Sequence, residues 1–299
     1  MTMTSFLTSL PPSILKKKAK TPEQLALNLK SSLKFVSQLK KSCTNTMSVE
    51  ISIDRNMDVC QNTVVQNLSD VTNETFYTEL DGVNRCLQEI KNTLYGEASN
   101  SQQTDDGRRS DLRFQHEDEI ILEISRFFQS SDLFVILIDN FSLLPFESRK
   151  NTALIFNCLM KKDTSLAEYL EQQEHRVVVD QLIAGYTDPD VALSCGSMIR
   201  ECIKHDKLAL YILNCDQFAR FFDEFVSLPN FDVAADAFST MKCLLTTPSN
   251  RRISSDFIDK HYEFVFAKYE VSFALDVDAI FLNFCGVIYT FYHRLRLIL

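Results

Sequence analysis

One helical pattern is written twice between residues 188 and 245, and it constrains this chain more than any other feature. The first copy runs Asp188-Pro189-Asp190-Val191-Ala192 through Met198-Ile199-Arg200-Glu201-Cys202-Ile203. The second runs Asn230-Phe231-Asp232-Val233-Ala234 through Met241-Lys242-Cys243-Leu244-Leu245. Asp190-Val191-Ala192 recurs 42 residues on as Asp232-Val233-Ala234, and the same shift carries Ile199 to Met241 and Ile203 to Leu245. Apolar residues at 191, 195, 198, 199, 202 and 203, and at 233, 237, 241, 244 and 245, keep the spacing of one helix face. Asp188 and Asn230 stand where an N-cap belongs, and Pro189 takes the first helical position, where its missing N–H costs no hydrogen bond. A fainter copy upstream aligns Cys158-Leu159 with Cys202-Ile203 at a shift of 44 and places Leu154-Ile155 under Met198-Ile199. Repeats of this length built only of helices predict an all-α, right-handed helical-repeat solenoid of the HEAT or armadillo kind. The second member of each helix pair, including 189 to 204 and 231 to 245, is expected to line the concave side.

Three blocks, two within this region and one just after it, carry a family likeness. Cys195-Gly196-Ser197-Met198-Ile199-Arg200-Glu201-Cys202-Ile203-Lys204, then Asn230 through Thr240, and His261-Tyr262 followed by Tyr269-Glu270 resemble the Mo25 family of kinase scaffold proteins. The resemblance covers about residues 21 to 40 and 80 to 270 and is strongest from 186 to 270. It implies a non-catalytic scaffold or adaptor in intracellular signalling, whose concave face grips a STE20-type serine/threonine kinase or the related pseudokinase and holds it active. It also implies a separate C-terminal pocket for a short Trp-Glu-Phe tail. After Tyr269-Glu270, however, the family continues into a basic helix and further repeats, whereas this chain reads Val271-Ser272-Phe273-Ala274-Leu275-Asp276 and reaches Leu299. On that reading kinase binding is weakened, activation is impaired and the Trp-Glu-Phe tail is not recognised. Residues 271–299 form a divergent apolar segment whose expected role is to cover the last repeat.

Composition limits the alternatives. With 45% hydrophobic and 24% charged residues, 6 Gly and 7 Pro, the chain suits helices better than a turn-rich β fold. A net charge of −9 works against nucleic-acid binding. Most of the nine cysteines, Cys158, Cys195 and Cys202 among them, fall on apolar helix positions and no Cys-x-x-Cys occurs, which fits buried thiols in a reducing cytoplasm. Residues 1 to 22 lack acids and carry Lys16, Lys17, Lys18 and Lys20 after a short apolar stretch. Charges precede the apolar part in a secretory signal and a transit peptide would carry Arg, so residues 1–20 read as a disordered leader. The uncharged run Ala279 to Tyr292 is 14 residues long, short of the roughly 18 to 20 that span a bilayer. A membrane tail is therefore the weaker reading.

In chain order, Thr21-Pro22-Glu23 opens a helix with Leu25, Leu29, Leu33 and Val36 on one face. Residues 41–79 read as diverged or inserted, mostly loop. Periodicity returns at Leu80, Val83, Leu87, Ile90 and Leu94 and stops at Tyr95-Gly96, and 97–110 reads as a surface loop. Ile120, Ile121, Ile124 and Phe127-Phe128 begin the next repeat, and Leu133 to Ile138 is a buried helix, since no partner strand is in sight. Tyr169 to Tyr186 reads as one leading helix with Val177, Val178, Leu182 and Ile183 inward; Leu208 to Val226 reads as the next, packing Ile212, Phe218, Phe221, Phe222 and Phe225. With 23 Phe and no Trp, such a stripe is core rather than a ligand site.

Catalytic, cofactor and metal signatures are missing from the sequence. No two glycines are closer than 11 residues and none precedes Lys, so neither a Gly-x-Gly-x-x-Gly nor a Walker loop can be written. The five histidines stand about 30 or more residues apart, without His-Glu-x-x-His, and no calcium loop is present. Glu117-Asp118-Glu119 and Asp188/Asp190 read as helix-start acids rather than catalytic pairs. The partner that the resemblance implies is a protein, and no cofactor, small-molecule substrate or nucleic acid is called for. Arg200, Glu201, Lys204 and Lys242 are candidates for a polar partner-binding surface, against salt bridges between neighbouring repeats. Phe231 holds the first-turn place of Pro189 and is a candidate aromatic anchor, against local packing on Leu228 or Phe225. Besides the kinase scaffold, an adaptor for a non-kinase protein and an enzyme of unfamiliar site remain as alternatives.

Overall fold

The computed structural model describes residues 21–46, 70–95, 107–265 and 267. Among the described residues the helices are α1 (Pro22–Thr46), α2 (Asp70–Tyr95), α3 (Gly107–Ser130), α4 (Leu133–Asp139), α5 (Phe146–Lys162), α6 (Thr164–Glu171), α7 (Val177–Ala184), α8 (Pro189–Cys202), α9 (Asp206–Asn214), α10 (Arg220–Asp223), α11 (Phe231–Thr246) and α12 (Arg251–Lys260), with short 3₁₀ turns at Phe141–Leu143, Gly185–Thr187, Asp216–Ala219, Phe225–Ser227 and Pro248–Asn250. No strand occurs among the described residues.

The start signals act as their chemistry requires. Thr21 and Gln24 form a reciprocal capping box at 3.3 Å in both directions. The Asp188 carboxylate accepts the Asp190 N–H at 3.0 Å, and Asn230 Oδ1 accepts from Asp232 at 3.1 Å and Val233 at 3.3 Å. The whole apolar stripe of both copies is buried, from Val191 to Ile203 and from Val233 to Leu245.

Packing sorts the helices into three rows, so each repeat carries three helical parts rather than two. In one row α3, α6, α9 and α12 touch in succession; in the next α1, α4 and α7, with α7 meeting the 3₁₀ turn Asp216–Ala219; in the last α2, α5, α8 and α11. One continuous core runs between the rows. Its aromatic links include Phe128–Phe134–Phe156 and a cluster in which Tyr186 meets Phe221 and Phe225 while Phe218 meets Phe257.

Several expected boundaries shift. Residues 41–46 continue α1 and 70–79 begin α2, so part of the stretch read as loop is helical; 47–69 lie outside the described residues. Likewise 107–110, read as loop, open α3. Leu133 to Ile138 is the buried helix expected. The single helix expected over Tyr169 to Tyr186 is broken between α6 and α7, where Arg176 lies 4.9 Å over the Tyr211 ring and His175 stacks on Tyr169 at 3.7 Å. Val177, expected inward, starts α7 and is 39% exposed. Leu208 to Val226 is also divided, because Cys215 adopts an extended backbone (φ −79, ψ 151) after α9. That corner lets Phe218 face α12 while Phe221 and Phe225 face Tyr186. The leader 1–20 and the segment 271–299, Ala279 to Tyr292 included, lie outside the described residues.

Candidate partner-binding face

The row α2, α5, α8 and α11 is laced by a polar seam. Ser148 on α5 donates to Asn84 Oδ1 on α2 at 3.1 Å, and Asn151 donates to Gln88 at 3.0 Å. Tyr95 donates to the Leu154 carbonyl at 3.1 Å. From α5 to α8, Asn157 donates to Ser197 at 2.8 Å. From α8 to α11, Arg200 Nη1 donates to Asp236 Oδ2 at 2.9 Å and to Thr240 Oγ1 at 2.7 Å. The Tyr186 hydroxyl reaches the same Asp236 oxygen at 2.8 Å and Thr240 Oγ1 at 2.7 Å.

Gly196 makes that last junction possible. A Cβ there would run into both Asp236 Oδ2 and the Tyr186 hydroxyl. Burial, with the adjacent Asp236 charge, pushes the Tyr186 phenol well above its ordinary pKa, so it stays a neutral donor. For Arg200, burial works against the charge, but the hydrogen bond and carboxylate of Asp236 more than offset it and raise the pKa above the usual guanidinium value.

The candidate residues divide. Arg200 is partly exposed and held in the inter-repeat salt bridge just described. Glu201 is only 5% exposed and is not part of an open polar surface; Lys204, in the turn that follows α8, and, at 3.9 Å, Lys161 of α5 satisfy it. The sequence does not signal this burial, since the α5 lysine that pairs with it lies 40 residues upstream. Lys204 and Lys242 are exposed. Phe231 is 64% exposed at the start of α11 and lies outside the core cluster, so its ring faces solvent rather than a staple contact. Phe146, at the equivalent place on α5, is exposed to the same degree. Tyr186, Gly196, Asp236 and Thr240 were not singled out by sequence reasoning. One signal was available: Thr240 is a polar residue at the place that Met198 holds in the core of the preceding copy.

Buried thiols here are packing groups. Burial raises the Cys202 pKa to about 12 and moves Cys158 and Cys195 in the same direction, which keeps them protonated. No disulfide joins the described cysteines. Among the described residues no group of three His, Cys, Asp or Glu converges as a metal site, and no helix is long and apolar enough to cross a membrane.

Stacked three-helix repeats with a polar seam along one row define an all-α helical-repeat protein of the class that offers an extended face to another macromolecule. The chain belongs to the Mo25-like family, whose description matches residues 13–274. It is 37% identical over 156 residues to human calcium-binding protein 39-like, covering 51% of this chain and 45% of that protein. It is 34% identical over 155 residues to MO25-like protein 2 of Caenorhabditis elegans, covering 50% and 44%. A third relative is the degreening-related gene dee76 protein of Auxenochlorella protothecoides, at 30% over 199 residues, covering 63% and 54%. The chain thus spans about half the length of the curated relatives it matches.

Proposed function

We propose that this chain is a non-catalytic cytoplasmic scaffold that binds a STE20-type serine/threonine kinase or pseudokinase along the α2, α5, α8, α11 row. We also propose that residues 21–270 are its repeat domain and 271–299 a distinct segment. The observation that carries the reading is Phe231, a large aromatic placed toward solvent at the start of α11, the helix that also carries Asp236 and Thr240 of the polar seam, in a chain of the Mo25-like family. Solvent-facing aromatics of this kind anchor protein interfaces when a partner covers them. Arg200, Lys204 and Lys242 supply the polar surround, and Glu201 supports it from beneath.

Biolayer interferometry of the full chain against a panel of STE20-type kinase domains tests this, with phosphorylation of a generic substrate measured alongside. Saturable binding that falls at least tenfold in Phe231→Ala, about the loss of a modest hot spot, supports the scaffold. Binding to none of the panel, with recovery of an unrelated protein on the same face, would favour an adaptor for a non-kinase partner instead.

A further inference from the structure

Arg200 is held by one edge only. Its Nη1 is committed to Asp236 and Thr240 at 2.9 and 2.7 Å, whereas Nε and Nη2 donate to no described residue, and the side chain retains 26% exposure. The anchor is itself fixed, since Asp236 Oδ2 also accepts from the Tyr186 hydroxyl and the Tyr186 ring is fully buried between Phe221 and Phe225.

A guanidinium carries five N–H donors in a rigid plane. With one edge pinned, the remaining edge presents two parallel donors at the spacing of two carboxylate oxygens, and the rotamer entropy that an exposed arginine loses on binding has already been spent on folding. The charges around it agree. The charged groups tied into ion pairs at this junction are the cations Lys161, Arg200 and Lys204 and the carboxylates Glu201 and Asp236, an excess of one positive charge.

We infer that the Nε/Nη2 edge of Arg200 is the receptor for one Asp or Glu side chain of the protein partner, gripped bidentately. The inference rests on the scaffold reading above and adds the chemistry that the partner must bring: an acidic residue at the point of contact with the α8 to α11 junction. Asp236 and Thr240 are then positioning residues, acting through the guanidinium.

The test measures affinity of the full chain for a STE20-type kinase domain that binds the wild type, using Arg200→Lys. Lysine keeps the charge and its reach to Asp236 but has no fork, so binding should weaken about tenfold or more while thermal melting stays near wild type. A single Asp→Asn or Glu→Gln substitution on the kinase should cause the same loss, and the two together should cost little more than either alone. The salt dependence between about 50 and 200 mM should flatten when that kinase carboxylate is removed, a readout that a merely structural Arg200 would not move. Wild-type affinity in Arg200→Lys, or no coupled carboxylate, overturns the inference and leaves the scaffold intact. Phosphatase-sensitive binding without a coupled carboxylate would instead assign the fork to a phosphoryl group and also overturn it. Failure of the wild type to bind any such kinase overturns both readings together.

Discussion

Gly196→Ala puts local helix preference and the polar junction in direct opposition. In an exposed helix interior the change would stabilise by roughly 1 kcal/mol, since Ala is the better helix former. Here the new methyl would fall on Asp236 Oδ2 and the Tyr186 hydroxyl, and it would also stand 3.1 Å from Asp236 Cγ. Neither neighbour is the loose end of a long side chain. Asp236 is short and bonded to Arg200 and Tyr186, and the Tyr186 ring is packed against Phe221 and Phe225. Overpacking typically costs about 1–3 kcal/mol, and each hydrogen bond to the carboxylate that is forced apart about 1.5–3 kcal/mol. After subtracting the gain in propensity, a net loss of roughly 2–4 kcal/mol is expected.

Urea unfolding followed by far-UV circular dichroism measures it, in the wild type, Gly196→Ala, Tyr186→Phe and the double variant. Removing the hydroxyl in Tyr186→Phe takes away one of the two obstructing atoms, so Gly196→Ala should cost less in that background, with a coupling of about 0.5–3 kcal/mol. A Gly196→Ala protein as stable as the wild type, or strictly additive losses, would refute the close approach on which the reasoning depends.

Phe231→Ala should cost under about 1 kcal/mol, because its ring is already mostly in water, whereas Phe221→Ala should cost about 3–5 kcal/mol as a fully buried aromatic. Equal losses in the two unfolding curves would return Phe231 to the core. Asp188 gives a pH test: burial raises its carboxyl pKa despite the hydrogen bond from Asp190 and the charge of Arg149. A raised folded-state pKa means that the proton favours the folded form. Its stabilising contribution is therefore full below the unfolded value of about 3.9 and is lost as pH rises through the folded one. Relative to Asp188→Asn, which keeps the capping acceptor, the wild type should thus gain stability on acidification across that window; a flat difference or one of opposite sign contradicts the assignment.

What the sequence made legible follows from which interactions are local. Caps at Thr21, Asp188 and Asn230 act within a few residues, and the apolar stripes of α8 and α11 repeat within one helix, so both can be read before any fold is known. The breaks after Glu171 and Asn214 cannot, because Gln172-Gln173-Glu174 and Cys215 include no Gly or Pro to announce them. They are imposed by contacts between elements, such as Arg176 over Tyr211 and Tyr211 on Asp180 at 2.7 Å. Glu201 misled for the same reason: its neighbours in sequence are a partly exposed arginine and a core cysteine, and the lysine that pairs with it from α5 is forty positions away.

The polar seam explains why the candidate site came out half inside the protein. Apolar faces alone tolerate sliding of one helix along the next, since one Leu or Ile contact replaces another at small cost. A buried hydrogen bond does not, because a slip of one residue leaves a desolvated donor or acceptor unpaired. Asn84 with Ser148, Asn157 with Ser197 and Arg200 with Asp236 place one such constraint at each successive junction of the row. Ser148 is fully buried, but Asn84, Asn157, Ser197, Arg200 and Asp236 keep partial exposure, so registering the repeats and presenting polar groups to a partner fall largely to one set of residues. Seam substitutions that leave a buried group unpaired should therefore move stability and binding together. Phe231 stands outside the seam at the first turn of α11, which makes it a residue at which the two can be separated, and it is there that the scaffold reading is most exposed to disproof.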